Sequence, residues 1–243
     1  MGKVKILLLA CLLAMAGTAM AQPAYEAELE GNIKLAKHWQ MSLCGEIRSA
    51  DNMKGVERLT IGGSIGYRLT KNLKTDIGYL LIYRHFDERT TSKGNTVCSN
   101  WSPRHRYWLG VTGSVKAGRL EFALRERLQF THRPLRYIPK YSGEDGHRMT
   151  DEEYSNDDEL MLRSRLGVKW NIKHCPVTPF ANVEMFNDTH DGWSVDQMRY
   201  IIGADYKLDK HNTLSLSYRY KNKSSDDDEP GSHLISVGYA HDF

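Results

Sequence analysis

The chain has 243 residues, with 33 Lys and Arg against 30 Asp and Glu, ten His and four Cys. A balance this close to neutral argues against nucleic acid as a partner, which would need a concentrated basic surface. Beyond the first residues, no stretch approaches the roughly 18 apolar residues of a transmembrane helix. A barrel that crosses a membrane with strands escapes that test, because only every second residue faces lipid.

The chain opens with Lys3 and Lys5, an apolar run from Ile6 to Met15, then Gly17, Thr18 and the small-x-small triplet Ala19, Met20, Ala21. This predicts a signal peptide over residues 1–21 and a mature domain over 22–243. Leu8, Leu9, Ala10 and Cys11 mimic a lipoprotein box, but too little apolar core precedes the cysteine and a second apolar stretch follows it. Loss of Lys3 and Lys5 leaves 31 basic residues against 30 acidic, a net charge of +1. Three cysteines remain, Cys44, Cys98 and Cys175, an odd number that cannot pair completely within the chain. They show no metal-ligand spacing, and His174 beside Cys175 lacks the rest of a four-ligand set. No metal and no cofactor are expected.

From Tyr25 the mature chain alternates with period two. Tyr25, Ala27, Leu29, Gly31, Ile33 and Leu35 share one face, and Glu26, Glu28, Glu30, Asn32 and Lys34 the other. Trp39, Met41, Leu43, Gly45 and Ile47 then oppose Gln40, Ser42, Cys44, Glu46 and Arg48. The same pattern predicts strands over Leu59–Leu69, Leu73–Tyr83, Tyr107–Val115, Leu120–Phe130, Leu160–Ile172, Pro179–Met185, Met198–Leu208, Leu214–Tyr220 and Ile235–Phe243. Most are near the roughly 9–11 residues that cross a tilted barrel wall. The last strand ends on Phe243 with Tyr239 in phase, the C-terminal signature by which outer-membrane barrels present themselves to the barrel assembly machinery.

Short links (70–72, 116–118, 173–176, 209–212) interleave with long ones (51–57, 85–104, 132–159, 187–195, 222–232). Short periplasmic turns and longer outer loops are the habit of bacterial outer-membrane barrels. The predicted fold is therefore all-β: an antiparallel up-and-down transmembrane β-barrel of 10–12 strands in the cell outer membrane. The segments number about eleven, whereas single-chain bacterial barrels normally have an even count. Either one strand is missed, or the first hairpin does not lie in the wall.

The tyrosines and tryptophans keep the phase of the leucines and isoleucines and sit toward strand ends, as an interfacial girdle requires. Glu126 breaks that phase among Leu124, Leu128 and Phe130, and needs a bulge or a polar neighbour such as Ser164. The opposite face is heavily charged, so a lipocalin-like soluble barrel with an apolar interior is excluded. Within the lumen, Arg125 and Arg127 should lie beside Arg163 and Arg165 on the next strand. Four guanidinium groups at similar height repel unless acids or an anion intervene. One reading is an internal salt-bridge network with Glu121, Glu184 and Asp205 as acidic partners; the other is an anion-selective constriction. The acidic runs Asp151–Glu159 and Asp226–Glu229 match no calcium-loop pattern and read as solvated loops.

The segments Trp101–Tyr107, Leu124–Arg127, Leu162–Arg165, Pro179–Glu184 and Arg219–Tyr220, followed by the acids Asp226–Glu229, resemble a domain-of-unknown-function family of small Gram-negative outer-membrane β-barrel proteins. The resemblance covers nearly all of the mature chain; it implies an outer-membrane barrel and supplies no substrate. Lipid-modifying enzymes exist in this architecture, but they need a serine activated by an oriented histidine, and no such pair lies on an outward strand face. The chain is expected not to be an enzyme. Three functions stay open: a narrow anion-preferring channel or small-solute porin, a closed structural or surface-interaction barrel, and, least supported, a lipid-modifying enzyme. The expected surroundings are outer-membrane lipid and lipopolysaccharide, with no soluble partner identifiable.

Overall fold

The computed structural model describes residues 23–50, 55–190, 192–222 and 233–243. The predicted signal peptide and the acidic run Asp226–Glu229 lie outside them. Eleven strands form one closed barrel: β1 (Ala24–Lys34), β2 (Trp39–Ser49), β3 (Val56–Arg68), β4 (Leu73–Phe86), β5 (Asn100–Ala117), β6 (Leu120–Arg133), β7 (Asp157–Trp170), β8 (Val177–Asp188), β9 (Val195–Lys207), β10 (Asn212–Lys221) and β11 (His233–Asp242). Each pairs with its sequence neighbours, and β1 closes onto β11. At a strand spacing of about 4.8 Å and a tilt of about 40°, the eleven-stranded wall is roughly 22 Å across between backbones.

The closing pair corrects the expectation of a wholly antiparallel barrel. β1 and β11 run parallel, from Ala24 opposite Leu234 to Asn32 opposite Asp242. No twelfth strand is needed, and the first hairpin does lie in the wall, with Glu26 opposite Arg48 and Lys34 opposite Gln40. An odd number of up-and-down strands leaves the first and last pointing the same way, so their seam must be parallel. Slanted parallel bonds are slightly weaker, but closure removes both exposed edges, which lipid would not tolerate.

The period-two segments are the strands, although several run further than the apolar pattern shows. β5 begins at Asn100, seven residues before Tyr107, because Ser102, Arg104 and Arg106 keep the inward phase while Trp101, Pro103 and His105 give the outward face no aliphatic residue to mark it. Pro103 fits there because β5 pairs with β4 at that height while its pairing with β6 starts only at His105. At the other end of the barrel, Gly118 adopts φ 63° and lets Ala117–Leu120 reverse in two residues.

The outward residues are apolar and bare, including Leu29, Leu43, Ile61, Ile77, Leu109, Leu124, Leu166, Ile202 and Val237. A lower aromatic ring contains Trp39, Tyr67, Trp170, Tyr206, Tyr239 and Phe243, with Trp39 and Tyr67 centroids 4.8 Å apart. An upper ring contains Tyr83, Tyr107, Phe130, Tyr200 and Tyr220, with Tyr200 and Tyr220 stacked at 6.3 Å. From Tyr67 to Leu59, which pairs with Tyr83, eight residues at about 3.3 Å and 40° tilt rise roughly 20 Å, close to the apolar band of a membrane barrel. Glu126 faces outward within that band and accepts a 2.6 Å hydrogen bond from Ser164 Oγ, the polar neighbour expected of it.

The long connections β4–β5 and β6–β7 are not bare loops. Arg89–Thr90 pairs with Thr96–Val97, which pairs with Lys140–Tyr141, and Arg136–Ile138 pairs with Glu152–Tyr154. Val97 and Ile138 are buried between them, and Cys98 N–H donates to Pro139 O at 3.0 Å. The two connections form one cap at the loop end of the barrel.

Candidate functional site

The lumen is organised by charge. Period two sends Arg125 and Arg127 of β6 and Arg163 and Arg165 of β7 to the same side of the wall, and the register sets Arg125 opposite Arg165 and Arg127 opposite Arg163. Continuing the row, Arg165 lies opposite Glu184 of β8, and Glu184 opposite Arg199 of β9. The four predicted arginines therefore do converge. Glu184 is their keystone, with its side chain wholly buried. It takes hydrogen bonds from Arg163 Nη2 at 2.8 and 2.7 Å and from Arg125 Nη2 at 3.4 Å, and Arg165 Nε lies 3.6 Å away.

The other two acids expected beside this cluster are elsewhere. Glu121 faces Lys116 at 3.6 Å near the short-turn end. Asp205 accepts a 2.9 Å bond from Lys169 Nζ and a bond from Ser215. Their place was misjudged because inward phase settles the face and not the height; strand register settles height. The second acid of the cluster is Asp76 of β4, which binds Arg127 Nη2 at 3.2 Å and Trp108 Nε1 at 2.6 Å. Arg125, Arg127, Arg163, Arg165 and Arg199 thus gather around Glu184 and Asp76.

Aromatic rings also hold three of these arginines in place. Arg127 lies over the Trp108 ring at 4.6 Å, and Arg163 and Arg199 lie over Phe186 at 5.0 and 4.4 Å. Each such contact supplies on the order of 0.5–2 kcal/mol. Gly78 makes room for Trp108, since a Cβ there would enter the indole. The signal for this was legible and unused: Trp108 and Phe186 are aromatics in the inward phase of their strands, in line with Arg104 and Arg106 on β5 and with Glu184 on β8.

The opposite wall is acidic. In an eleven-stranded ring β6 and β7 stand across from β1, which carries Glu26 and Glu28 with Glu46 from β2. Glu26 pairs with Arg48 at 2.6 Å and with Arg58 and Arg219 at 3.4 Å each, and Arg58 also pairs with Glu46. Ser236 Oγ donates to Glu28 at 3.2 Å. The three carboxylates approach within 4.8 Å of one another, close enough for a cation, but three arginines already supply the counter-charge.

Three spaces run along this axis. A cavity of about 710 Å³ opens at the short-turn end and has Arg125 and Arg127 at its inner reach, with Cys44, Asp76 and Trp108 in its wall. Above the belt lies a space of only about 40 Å³, lined among others by Arg104, Arg106, Arg133, Arg163 and Arg199 together with the acids Glu159 and Asp196. Under the cap is a chamber of about 280 Å³ that shares Arg104 and Arg133 with it. Arginine is thus present at every level from cap to lower cavity. At the lower rim, Phe243 N–H donates to Asn32 O at 2.8 Å across the closing seam, and Tyr239 OH donates to Asn212 Oδ1 of β10 at 2.6 Å, so the C-terminal residues are tied to both neighbouring strands.

Residues 27–230 match the model of a family described as a protein of unknown function, DUF2490. No curated protein matches the sequence. Among solved structures, the chain is similar to the beta domain of the Bordetella autotransporter BrkA, with 14% identity, a TM-score of 0.59 and 86% of each chain covered. It is similar to the NanC porin, with 13% identity, a TM-score of 0.53, and 92% of this chain and 95% of the porin covered. It is also similar to the translocator domain of the autotransporter NalP from Neisseria meningitidis, with 13% identity, a TM-score of 0.51, and 78% and 70% covered. At these identities the likeness is one of fold: a closed β-barrel of the outer-membrane kind.

Proposed function

The chain belongs to the DUF2490 family of proteins of unknown function, and we propose that this member sits in the outer membrane and passes small anions through a narrow, arginine-lined lumen. The fold does not choose among porin, translocator and structural barrel, since all use it; the lumen carries the choice. One observation supports the reading above the rest: arginine lines the cap chamber, the middle space and the inner reach of the lower cavity in succession. Fixed positive charge in a low-dielectric tube raises the local anion concentration and repels cations. The proposal assigns the chain no catalytic step and no cofactor, and its surroundings are outer-membrane lipid and lipopolysaccharide.

The test is single-channel recording in planar bilayers under a potassium chloride gradient. The expected reversal potential has the sign of chloride preference, and Arg125→Gln with Arg163→Gln moves it toward zero. A folded, inserted protein that never conducts, or one that prefers potassium, overturns the proposal.

The small middle space favours a second reading, in which Glu184 and its arginines close the lumen as a salt-bridged plug. Under that reading the same recordings stay silent, and Arg163→Gln lowers stability without opening a path.

A further inference from the structure

We infer that the cavity at the short-turn end of the lumen is a docking site for one small polyhydroxylated anion, such as an acidic sugar. The space exists because inward positions on β2 and β3 are small there: Ser42 and Cys44 on one strand, Ser64 and Gly66 on the other. Its volume of about 710 Å³ lies within the range of small-molecule sites and has room for about one or two sugar rings.

Strand register carries cations along its wall in two rows. Arg68 is opposite Lys74, Lys74 opposite Thr112, and Thr112 opposite Arg125. Arg68 ends β3 and Lys74 is the second residue of β4, so both stand at the mouth, whereas Arg125 belongs to the belt. The second row starts at Lys34, the end of β1, and runs through Gln40, Gly66, Asp76 and Gly110 to Arg127. Gly66 leaves a gap in it, since a Cβ there would meet nothing nearer than Thr75 O at 3.6 Å.

The cations at the mouth are unspent. Lys34, Arg68 and Lys74 are exposed, and among the described residues no carboxylate lies within ion-pair distance of them. Of the acids lining the cavity, Asp76 is committed to Arg127 and Trp108. Glu30 and Asp242 stand on the seam strands β1 and β11, not on β3 and β4.

The uncharged polar groups of the wall are oriented and keep free valences. Asn32 Oδ1 accepts from Gln40 Nε2 at 3.1 Å and from Ser42 Oγ at 2.5 Å, which fixes both amides. Asn32 Nδ2, Gln40 Oε1, Ser64 Oγ and the Glu30 carboxylate have no hydrogen-bond partner among the described residues. A ligand with ring hydroxyls and one acid group matches this set: its hydroxyls donate to Gln40 and Glu30 and accept from Asn32, and its acid group meets Arg68 and Lys74. A bare anion would leave the amides unused, and a neutral sugar would leave the cations unused. Groups held in place beforehand lower the entropy cost of binding. The assignment rests on the reading of the lumen as an anion path and names its solute class, yet binding is measurable without conduction.

Isothermal titration of the full-length barrel in detergent micelles tests it, with glucuronate as the probe, acetate as an acid without hydroxyls and glucose as hydroxyls without the acid. Glucuronate should bind saturably, and acetate and glucose about tenfold or more weakly. Arg68→Gln combined with Lys74→Gln should weaken glucuronate binding about tenfold or more; neither change orphans a carboxylate, so the barrel still folds. Gly66→Leu fills the cavity at unchanged charge and should abolish binding. Arg148→Gln, a change in the cap that removes a pair with Asp151, should leave affinity unchanged. Folding of each variant is read from heat-modifiable gel migration.

Equal binding of acetate or glucose, no binding of glucuronate, full binding by Gly66→Leu, or equal losses in the mouth and cap variants would overturn the proposal. Displacement of glucuronate by phosphatidylglycerol in mixed micelles would also overturn it, since the ligand would then be a lipid headgroup. Binding by a protein that is silent in bilayers sinks the channel and leaves the docking site standing; conduction by one that does not bind glucuronate does the reverse.

Discussion

Replacing Glu184 with glutamine removes one charge and almost no volume. Its carboxylate is wholly buried, with arginine nitrogens at 2.7, 3.4 and 3.6 Å. At an effective dielectric near 20, these three attractions sum to about 15 kcal/mol gross. Desolvating four ions at several kcal/mol each offsets about as much, so the intact cluster comes out near zero net. Removing the acid leaves the arginines desolvated and mutually repelling, and should cost about 3–5 kcal/mol.

The same arithmetic predicts rescue. An anion that reaches the arginines left without their carboxylate stabilises by about 2.7 kcal/mol at one hundred times its dissociation constant. The assay is the temperature at which the barrel loses its compact gel migration, with and without phosphate at constant ionic strength. Glu184→Gln should melt well below the parent and recover more in phosphate than the parent does. A variant as stable as the parent in both buffers would refute the keystone role of Glu184.

Gly78→Val drives a side chain into the Trp108 indole and should lower the same melting temperature, at a cost of about 1–3 kcal/mol; an unchanged transition would mean the packing there is loose. Leu166→Arg puts a charge on the bare outward face, about 10 Å above Trp170 by strand rise, and should cost about 2–4 kcal/mol. Full stability of that variant in lipid vesicles would contradict the placement of the apolar band. Glu126→Leu should raise stability in the same vesicles, because a carboxylate whose partner there is Ser164 is replaced by a lipid-compatible chain; a fall would show that Glu126 has a partner outside the chain. In the cap, a hydrogen bond from Lys140, aided by the charges of Lys140 and Arg89, holds the Glu152 carboxyl below its usual range. Its contribution is therefore present above the ordinary glutamate range and lost as pH falls below it. Limited proteolysis within 133–157 should accelerate only in acid; acceleration on raising the pH through neutrality would refute the pairing.

Much of the wall was readable because a strand buried on one face has to alternate, and here the alternation persists from Tyr25 to Phe243. It identified the inward arginines, the aromatic girdles and the misplaced Glu126. It did not show Asn100–Arg106 as strand, since the outward face there is Trp101, Pro103 and His105, with no aliphatic residue to mark the phase. Nor did it show the cap, whose ribbons are two or three residues long and too short to have a period. Phe86, Arg136 and Tyr154 meet only because two connections separated by the 34 residues 100–133, the first ending at Ser99 and the second starting at Pro134, fold against each other.

The sequence by itself determined that the chain is a barrel with a charged interior, because side-chain direction along a strand is a local property with a period of two. Which charges meet was decided by the tertiary structure. Glu184 joins the arginine belt while Glu121 and Asp205, equally inward and equally acidic, do not, because register depends on where each hairpin turns and how the wall closes. The parallel seam has the same origin: alternation fixes faces, but only the closing of β1 on β11 sets the direction of the last pair and the diameter within which the arginines must fit.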